Sequence, residues 1–483
     1  MAAAENEVAT DPARFARTYF DPWNLVAEIE GARRFLILGP KGAGKSAAAR
    51  YLEIRWRAER GDHAVFSDFV DFDELNRTQT PLTSLDKKLV GDVPALVDAA
   101  WRLFLGVRLV ETLASDPACD LHNDPKVGQF LAALRDAGLA STDYPQVLRR
   151  VRERKGMLGL PSGWLGTEKT STETDQISTT QVGEALLRLV ERSLTPNRHL
   201  LVIDGLDKAI GDNPAYWETL ASLVRVTDAF ERRARAVGAD HVMLMVLCRS
   251  DVFRRVRFAD AAKISADAGF HLEWGAELAD PRSVLLWDYL AAKAEITTDQ
   301  LFRMLPRKIT VGARGAAGRQ PISVDRYLLG FSRYTPRDMT LLFNSIQQAT
   351  AGRSRLGVAE VRAGADQFAR RHLVAEIASE AHGLLPDAVV ENFESIISAL
   401  PYRVVRVEDL KQALAEAGLE DAIGVQELGE YLFLQGALGN YLEEPDYIQF
   451  YHRRDTYKFQ RKGPWVLHTA LVYAFNIPWG RPR

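Results

Sequence analysis

The chain has 483 residues, of which 47% are hydrophobic and 26% are charged. These fractions are typical of a folded protein and exclude a disordered or collagen-like chain. Lys and Arg number 61 against 64 Asp and Glu, a net charge of -3, which argues against coating nucleic acid through bulk charge but leaves a local basic site open.

The cysteine content and the apolar segments predict a cytoplasmic protein. Cys119 and Cys248 are too few for a disulfide framework and fit a reducing compartment. The N-terminal sequence carries acidic residues and has no apolar core, so we expect no secretory signal. The most apolar stretch, residues 94–114, is interrupted by Asp98 and Arg102, which predicts an amphipathic helix rather than a membrane span.

The first half of the chain predicts strands that alternate with helices. The apolar run 33–38 ends at Gly39, and a helix-forming segment then runs from Lys45 to Gly61. Further apolar runs are typical of strands, at residues 63–70, 199–203, 241–247 and 269–274. Apolar residues recur at helical spacing in residues 93–155, 182–193 and 217–236. This alternation predicts an α/β fold with a mostly parallel sheet and helices on both faces.

Two segments differ in composition from their surroundings. Residues 156–181 are rich in Gly, Ser and Thr, which indicates either a mobile loop or a hairpin insertion. From about residue 281 to 400 helical patterns dominate, and the basic, Gly-containing stretch 306–321 that interrupts them is expected to be a loop.

The last 80 or so residues predict a different architecture. The expected elements are a strand at 403–407, helices at 408–417 and 425–435, a turn at Gly439–Asn440, β-prone aromatics at 447–459 and a helix at 465–475. A strand, two helices and a hairpin in this order are typical of a winged helix.

The sequence GPKGAGKS fits the phosphate-binding pattern G-x-x-x-x-G-K-[ST] at every fixed position. Its residues are Gly39, Pro40, Lys41, Gly42, Ala43, Gly44, Lys45 and Ser46. Glycines let backbone N–H groups curl around phosphate, and the following helix presents its positive N-terminus. Lys45 would reach the β- and γ-phosphates, and the Ser46 hydroxyl would bind Mg²⁺. The pattern follows a predicted strand and opens a predicted helix, so we expect a site for ATP and Mg²⁺.

A second acidic position is expected beside this loop. The apolar run Leu200–Ile203 ends in Asp204, which we predict to be the Walker B ligand of Mg²⁺; an ordinary turn aspartate is the alternative. Asp207 follows three residues later and would orient the attacking water, or else cap a helix or face solvent.

Two arginines are candidates for sensing the γ-phosphate. Arg249 leaves the predicted strand 241–247 and would either contact phosphate or pair with Asp251 at the surface. Arg337 follows Pro336 at a predicted helix start and would either contact phosphate from a lid or lie exposed. Arg254, Arg255 and Arg257 include candidates for a finger toward a neighbouring subunit.

GPKGAGKS, LLVIDGLD and MVLCRSD resemble the Walker A, Walker B and sensor segments of STAND and AAA+-like P-loop ATPases. In the STAND branch the resemblance implies a small residue after the Walker B Asp and an acid at +3, which Gly205 and Asp207 match, whereas Lys208 departs from the frequent Glu at +4. YTPRDM is similar to the second-sensor segment of initiator-type AAA+ proteins, and the C-terminal sequence resembles the winged-helix tail of bacterial ATPases with this layout. The resemblance implies ATP-driven switching in signalling or antiviral defence.

The chain is therefore expected to have an ASCE-type P-loop core followed by two further domains. We predict an N-terminal linker at residues 1–30, the ATPase core at 31–280 with its insertion at about 156–181, a helical lid at 281–400 and a winged-helix-like domain at 401–483.

A cationic segment near the C-terminus leaves nucleic-acid binding open. Its cations are Arg453, Arg454, Lys458, Arg461 and Lys462. They would neutralise phosphates while neighbouring aromatics stack on unpaired bases, or they would form the solvated face of a wing whose aromatics are core. Arg307, Lys308, Arg314 and Arg319 form a second basic loop with the same two interpretations.

Together these features predict an ATP-hydrolysing switch that acts with a protein partner or a second copy of itself, and they leave two alternative functions open. One rival is a DNA-dependent ATPase of the initiator or loader type, which would use the C-terminal cations. The other is an interaction scaffold that binds ATP with little turnover, which Lys208 favours.

Overall fold

The structure is a computed structural model that describes residues 4–71, 93–140, 144–153, 157–160, 175–206, 214–275, 280–311, 320–350, 356–382, 384–444, 447–454 and 456–479. By its contacts the chain divides into two compact units. The sheet unit comprises Trp23–Gly39 and Lys45–His271, and the helical unit comprises Met1–Pro22, Pro40–Gly44 and Leu272–Arg483. The domain boundaries given above stay a prediction.

The described helices are numbered in chain order. Up to residue 271 they are α1 (Ala4–Thr10), α2 (Pro12–Thr18), α3 (Leu25–Ala32), α4 (Lys45–Arg60), α5 (Val93–Ala114), α6 (Pro125–Asp136), α7 (Tyr144–Glu153), α8 (Thr179–Arg192), α9 (Pro214–Val237), α10 (Ser250–Phe253) and α11 (Ala261–Ala268). Beyond it they are α12 (Leu286–Lys293), α13 (Thr298–Met304), α14 (Val324–Leu329), α15 (Pro336–Thr350), α16 (Val358–Phe368), α17 (Val374–Glu380), α18 (Asp387–Glu391), α19 (Phe393–Ser398), α20 (Val407–Glu416), α21 (Val425–Leu434) and α22 (Thr469–Ala474).

The sheet unit is built on the five strands that the sequence predicts. They are β1 (Leu36–Gly39), β2 (Val65–Asp71), β5 (Arg198–Asp204), β6 (Val242–Arg249) and β7 (Gly269–His271), in the spatial order β2-β5-β6-β1-β7. All four pairings are parallel. Every residue of β6 is buried because helices cover both faces of a parallel sheet, which also explains its continuous apolar run.

The strand order confirms the predicted fold class. β6 stands between β1, which precedes the phosphate-binding loop, and β5, which ends in Asp204. This is the arrangement of an ASCE-type P-loop NTPase. Because the strands are parallel, their C-terminal ends share one edge of the sheet, where ligands of open α/β folds bind.

Close helix packing completes the sheet unit. α5 and α8 approach each other at two glycines: a Cβ at Gly183 would lie 2.7 Å from the Arg102 Cβ, and a Cβ at Gly106 would lie 2.7 Å from the Leu186 Cβ. α8 begins at Thr179, earlier than predicted, because Ser178 and Gln181 form a reciprocal capping box.

The Gly/Ser/Thr-rich insertion contains a hairpin at its described ends. β3 (Met157–Leu160) and β4 (Asp175–Ser178) pair antiparallel, which selects the hairpin from the two alternatives for these residues. The basic stretch 306–321 is not wholly a loop, because β8 (Lys308–Val311) and β9 (Gln320–Ser323) also pair antiparallel. The β-branched residues Ile309, Thr310 and Val311 favour a strand there.

The helical unit includes the N-terminal helices. The Lys293 Nζ lies 2.8 Å from a Glu7 carboxylate oxygen, and the Glu295 carboxylate accepts hydrogen bonds from the side chains of Arg14 and Arg17. Phe15 on α2 is buried. Residues 4–18, which the sequence interpretation placed in a linker, are therefore helical and in contact with the C-terminal end of α12.

The C-terminal region contains a four-stranded antiparallel sheet in the order β10-β13-β11-β12. Its strands are β10 (Val404–Val405), β11 (Leu438–Leu442), β12 (Tyr447–Gln449) and β13 (Trp465–Leu467). Helices α20 and α21 stand between β10 and β11 in the chain, as predicted.

Two expectations for this region are wrong. Gly439 and Asn440 lie inside β11 rather than in a turn, since the buried Asn440 amide donates to the Lys458 carbonyl and accepts from the Gln460 N–H. The last helix begins at Thr469, not at Trp465, because residues 465–467 form the strand β13 and the His468 side chain caps the helix. Turn propensity and apolar spacing are local properties of the sequence, so they do not predict strand pairing with distant residues.

None of the helices that the structure describes combines the length and the apolar character that a bilayer crossing requires.

Candidate nucleotide-binding site

Within the sheet unit, the ends of the phosphate-binding motif are arranged as the pattern predicts. Gly39 is the last residue of β1, and Lys45 and Ser46 open α4. The Lys45 Nζ lies 3.2 Å from the Gly39 carbonyl oxygen, so its ammonium group lies along the loop rather than extending into solvent. Lys45 therefore carries its charge at the edge of the sheet where parallel strands end.

Ser46 and Asp204 are in direct contact. The Ser46 hydroxyl donates to the Asp204 Oδ2 at 2.5 Å, although 158 positions separate the two residues. The other Asp204 oxygen accepts from the Gly205 N–H at 2.7 Å, which fixes the carboxylate orientation. Gly205 adopts a positive φ of 72°, a conformation that a side chain disfavours, so a small residue is required there.

This pair fits a magnesium site. A hydroxyl and a carboxylate supply hard oxygen ligands, and Mg²⁺ is commonly bound by one or two carboxylates together with substrate phosphates and water. Among the described ranges there is no cluster of three or more His, Cys, Asp or Glu side chains suited to a metal, so the fit rests on Ser46 and Asp204.

Arg249 is buried and engaged by a neighbouring carboxylate. It lies beside Gly39 in the β1–β6 register, only 4% exposed. Its guanidinium forms two parallel bonds to Asp251, Nε to Oδ1 at 3.0 Å and Nη2 to Oδ2 at 2.7 Å. The pairing with Asp251 considered above is present, but in the protein interior rather than at the surface.

In the helical unit, the middle of the motif forms a tight turn. Gly42 and Gly44 have φ values of 80° and 97°, which favour glycine. The carbonyl oxygen of Ala43 accepts a hydrogen bond from the Trp274 indole at 2.8 Å, and that of Gly42 accepts one from the Arg337 N–H at 3.3 Å. These two carbonyls are thereby satisfied by protein donors.

Arg337 lies against this turn at the start of α15. A Cβ placed on Gly42 would come within 2.8 Å of the Arg337 Cβ, so the two backbones approach closely. The Arg337 Nη1 is 3.1 Å from the Glu376 Oε1, and about a third of its side chain is exposed. The structure thus places Arg337 beside Gly42, and its role as a phosphate sensor stays a prediction.

The sequence interpretation missed a carboxylate at this point. Glu376 on α17 lies 3.0 Å from the Lys41 Nζ and 3.1 Å from Arg337, through the same oxygen. Burial acts to raise the pKa of Glu376, but Lys41, then Arg337 and Arg333, hold it below its usual value. No motif marks Glu376, since its partners are far away in sequence.

The C-terminal cations and aromatics separate in the structure. Arg454, Lys458, Arg461 and Lys462 are exposed, whereas Arg453 is half-buried with its guanidinium carbon 5.1 Å from the Phe450 ring centre. Phe459 stacks on the buried Trp465 at 5.3 Å, so these rings serve packing. Exposed cations fit both interpretations given above, so the choice between a solvated face and a nucleic-acid contact stays a prediction.

The candidates Asp207 and Lys208 lie outside the described residues, as do Arg314 and Arg319 of the second basic loop. Arg307 and Lys308 are described, and both are exposed.

Comparison with known proteins adds little to this picture. Among solved structures the chain is similar to one described as the Aeropyrum pernix ORC1 protein in complex with DNA, with 13% identity over 96% of this chain and 92% of that chain and a TM-score of 0.37. A TM-score this low does not establish a shared fold. No protein-family model matches the sequence, and no curated protein matches it. The fold class rests on the strand order and the position of the phosphate-binding loop.

Proposed function

We propose that the protein is an ATP-binding, Mg²⁺-dependent ATPase of the STAND and AAA+-like type that acts as a molecular switch. The contact between Ser46 and Asp204 carries the proposal. It joins the helix that follows the phosphate-binding loop to the end of the Walker B strand, at the ligand-binding edge of the sheet.

Each residue of the motif has a proposed task. The N–H groups of residues 39–46 would bind phosphate oxygens, and Lys45 would neutralise the β- and γ-phosphates. Ser46 and Asp204 would hold Mg²⁺, which supplies charge neutralisation on the phosphates when bound. Asp207 would orient the attacking water, a role that stays a prediction from the sequence.

Arg337 is better placed than Arg249 to sense the γ-phosphate. Arg337 adjoins the loop through its backbone contact with Gly42, which supports a role in sensing the γ-phosphate. Arg249 is held by two bonds to Asp251, so a sensor role for it requires exchange of a buried ion pair. We therefore favour Arg337 as the sensor.

We also propose that residues 393–474 form a winged helix. α19, β10, α20, α21 and the antiparallel strands β11 and β13 follow one another as in that fold, with β13 between β10 and β11 in the sheet. The helix α21, which precedes the hairpin, exposes Glu427 and Glu430. Acidic side chains are poorly suited to the DNA backbone, which favours a protein contact for this helix.

A DNA-dependent ATPase is the second candidate function. The exposed cations Arg454, Lys458, Arg461 and Lys462 favour it. It predicts that DNA stimulates ATP turnover, that the stimulation fades with added salt, and that neutralising these four residues abolishes it. ATP turnover that is unchanged by DNA at low salt would exclude it.

Nucleotide binding tests the main proposal directly. We expect titration calorimetry to detect binding of Mg-ATP to the wild type and its loss in Lys45→Ala, because the lysine charge is removed from the phosphates. Lys126→Ala, which removes an exposed helical lysine on α6, is the matched control and should bind normally. Equal binding by Lys45→Ala and the wild type would refute the site.

The pathway part of the proposal, signalling or antiviral defence, is supported by the resemblance of the motif segments. It predicts that phage form fewer plaques on bacteria that express the wild-type chain than on bacteria that express Lys45→Ala. Equal plating by the two strains across a phage panel would remove defence from the proposal.

A further inference from the structure

Three cations and three carboxylates meet around the turn of the phosphate-binding loop. The cations are Lys41, Arg333 and Arg337, and the carboxylates are Asp338, Glu376 and Glu380. All six belong to the helical unit. The numbers of opposite charges are equal, so as arranged the cluster offers an incoming anion no excess positive charge.

Arg333 is fully engaged within the protein. Its Nε bonds the Asp338 carboxylate at 3.2 Å, and its Nη1 lies 3.2 Å from both oxygens of Glu380. All three side chains are at least nine-tenths buried. Breaking such a network leaves an uncompensated buried charge, so these three groups stay paired.

Glu376 differs because its contacts are exchangeable. A fifth of its side chain is exposed, as are about a quarter of Lys41 and a third of Arg337. One oxygen, Oε1, serves both cations, at 3.0 Å and 3.1 Å. Ion pairs that reach solvent are weak and are replaced readily by a stronger anion.

The two cations are suited to phosphate. Lys41 is part of the phosphate-binding motif itself, and the Arg337 N–H donates to the Gly42 carbonyl in the same turn. Arginine binds phosphate with two parallel hydrogen bonds, and lysine does so as a point charge. A nucleoside triphosphate brings more negative charge to this place than a diphosphate does.

We infer that Glu376 is a positioning residue that competes with the nucleotide phosphates for Lys41 and Arg337 and so lowers the affinity for ATP more than that for ADP. This inference rests on the proposed ATP site. When Arg337 and Lys41 exchange Glu376 for the γ-phosphate, α17, on which Glu376 lies, loses these two ion pairs. The presence of the γ-phosphate thereby changes the contacts of α17. The α17 helix continues a π-helical turn, residues 369–373, at the end of α16.

Affinities for ATP and ADP measured by calorimetry in Mg²⁺ test the inference. Glu376→Gln keeps the shape of the side chain and removes its charge. We expect ATP to bind about fivefold to tenfold more tightly than to the wild type, and ADP to change by less than about twofold. Asp366→Asn is the matched control, since Asp366 pairs only with Arg370 among the ion pairs of the described residues, is exposed, and lies on α16.

A double-mutant cycle separates competition from a structural effect. In an Arg337→Gln background, Glu376→Gln should raise ATP affinity by much less than it does alone, because the released cation is missing. Glu376→Asp is a second variant for the case that Glu376→Gln fails to fold. Its shorter carboxylate cannot reach both cations, so it should shift ATP affinity in the same direction by a smaller factor.

Several results would overturn the inference. Unchanged or weaker ATP binding by Glu376→Gln would show that Glu376 does not compete, or that it presents Arg337 to phosphate. An equal gain for ATP and ADP would refute discrimination. If the wild type and Lys45→Ala differ in ATP binding while Glu376→Gln equals the wild type, the site stands and the inference alone fails; if the wild type binds no ATP, both fail.

Discussion

Ser46 and Asp204 stand in hydrogen-bond contact, with 2.5 Å between the serine hydroxyl and the carboxylate Oδ2. Ser46 lies in the first turn of α4, directly after the phosphate-binding loop, and Asp204 is the last residue of β5. In the sheet, β6 lies between β5 and β1, the strand that precedes the loop. Because the strands of the sheet are parallel, the two oxygens meet at the same edge. The contact is the main structural support for the proposed nucleotide site.

Removal of the serine hydroxyl should weaken the response to magnesium. We expect Ser46→Ala to lower Mg²⁺-stimulated phosphate release by about tenfold or more, because one of the two proposed protein ligands of Mg²⁺ is lost. Ser115→Ala, which removes an exposed hydroxyl at the end of α5, serves as the control. Full magnesium stimulation of Ser46→Ala would show that the hydroxyl does not serve the ion.

A side chain at Gly42 should disrupt the turn. Gly42→Ala adds a Cβ at a φ of 80°, within 2.8 Å of the Arg337 Cβ, so both strain and a clash are expected. We predict loss of ATP binding by calorimetry. Gly128→Ala, on α6 with no atom within 4 Å of the added Cβ, should leave binding intact and raise stability by a few tenths to about 1 kcal/mol. Normal binding by Gly42→Ala would contradict the close approach.

The buried pair of Arg33 and Glu231 should contribute to the stability of the sheet unit. Their side chains lie 2.7 Å apart, and Glu231 also accepts from the Leu244 N–H at 2.8 Å. Arg33→Ala would leave a buried carboxylate uncompensated and should lower the free energy of unfolding by about 3–5 kcal/mol in urea. Arg55→Ala, which removes an exposed pair with Glu59, should cost less than about 0.5 kcal/mol.

The pH dependence of the same variant gives a second check. Burial raises the pKa of Glu231 and Arg33 opposes that rise, so removing Arg33 leaves burial to act more fully. A folded-state pKa above the unfolded one favours the folded state as pH falls. The deficit of Arg33→Ala should therefore shrink between pH 7 and pH 5. A deficit that stays constant over this range would contradict the assignment.

His468 should make the protein less stable in acid. Burial, and then the charges of Arg333, Arg453 and Arg403, lower its pKa to about 3, while the hydrogen bond to the Ser332 carbonyl acts in the opposite direction. The unfolded chain takes up this proton below about pH 6.5, whereas the folded chain does not until near pH 3, so the free energy of unfolding falls by about 1.4 kcal/mol per pH unit between them.

The corresponding variant isolates this contribution. His468→Asn should be less stable than the wild type at pH 7. Between pH 6.5 and pH 5, however, its free energy of unfolding in urea should fall less steeply with pH, and the difference in slope should correspond to about one proton. His63→Asn, at an exposed position before β2, should keep the slope of the wild type. Identical slopes in His468→Asn and the wild type would contradict the buried, neutral state of His468.

The sheet and the phosphate-binding loop are predictable because their signals are local. Each strand is an apolar run of the kind that a sheet covered on both faces requires, and the motif 39–46 couples a strand end to a helix start. Lys45 and Ser46 therefore fall where the pattern puts them. Asp204 is found in the same way, as a carboxylate directly after a buried strand.

The remaining features depend on distant contacts. Asn440 appears in a Gly-Asn pair that favours a turn, yet its amide bonds to the chain about 20 positions later hold it inside β11. Glu376 carries no motif, and its role follows only from its distances to Lys41 and Arg337. The partner of Arg249 is local in sequence, but its burial is set by the position of β6 within the sheet.

Phosphate release by the wild type and Asp204→Asn tests the central claim most directly. We predict steady release from Mg-ATP by the wild type and a loss of about 100-fold or more in Asp204→Asn, while Asp136→Asn on the exposed face of α6 keeps the wild-type rate. Equal release rates for the wild type and Asp204→Asn would contradict the proposed role of Asp204 at the site. ATP binding by the wild type with no release at all would contradict an ATPase and favour a nucleotide-binding scaffold.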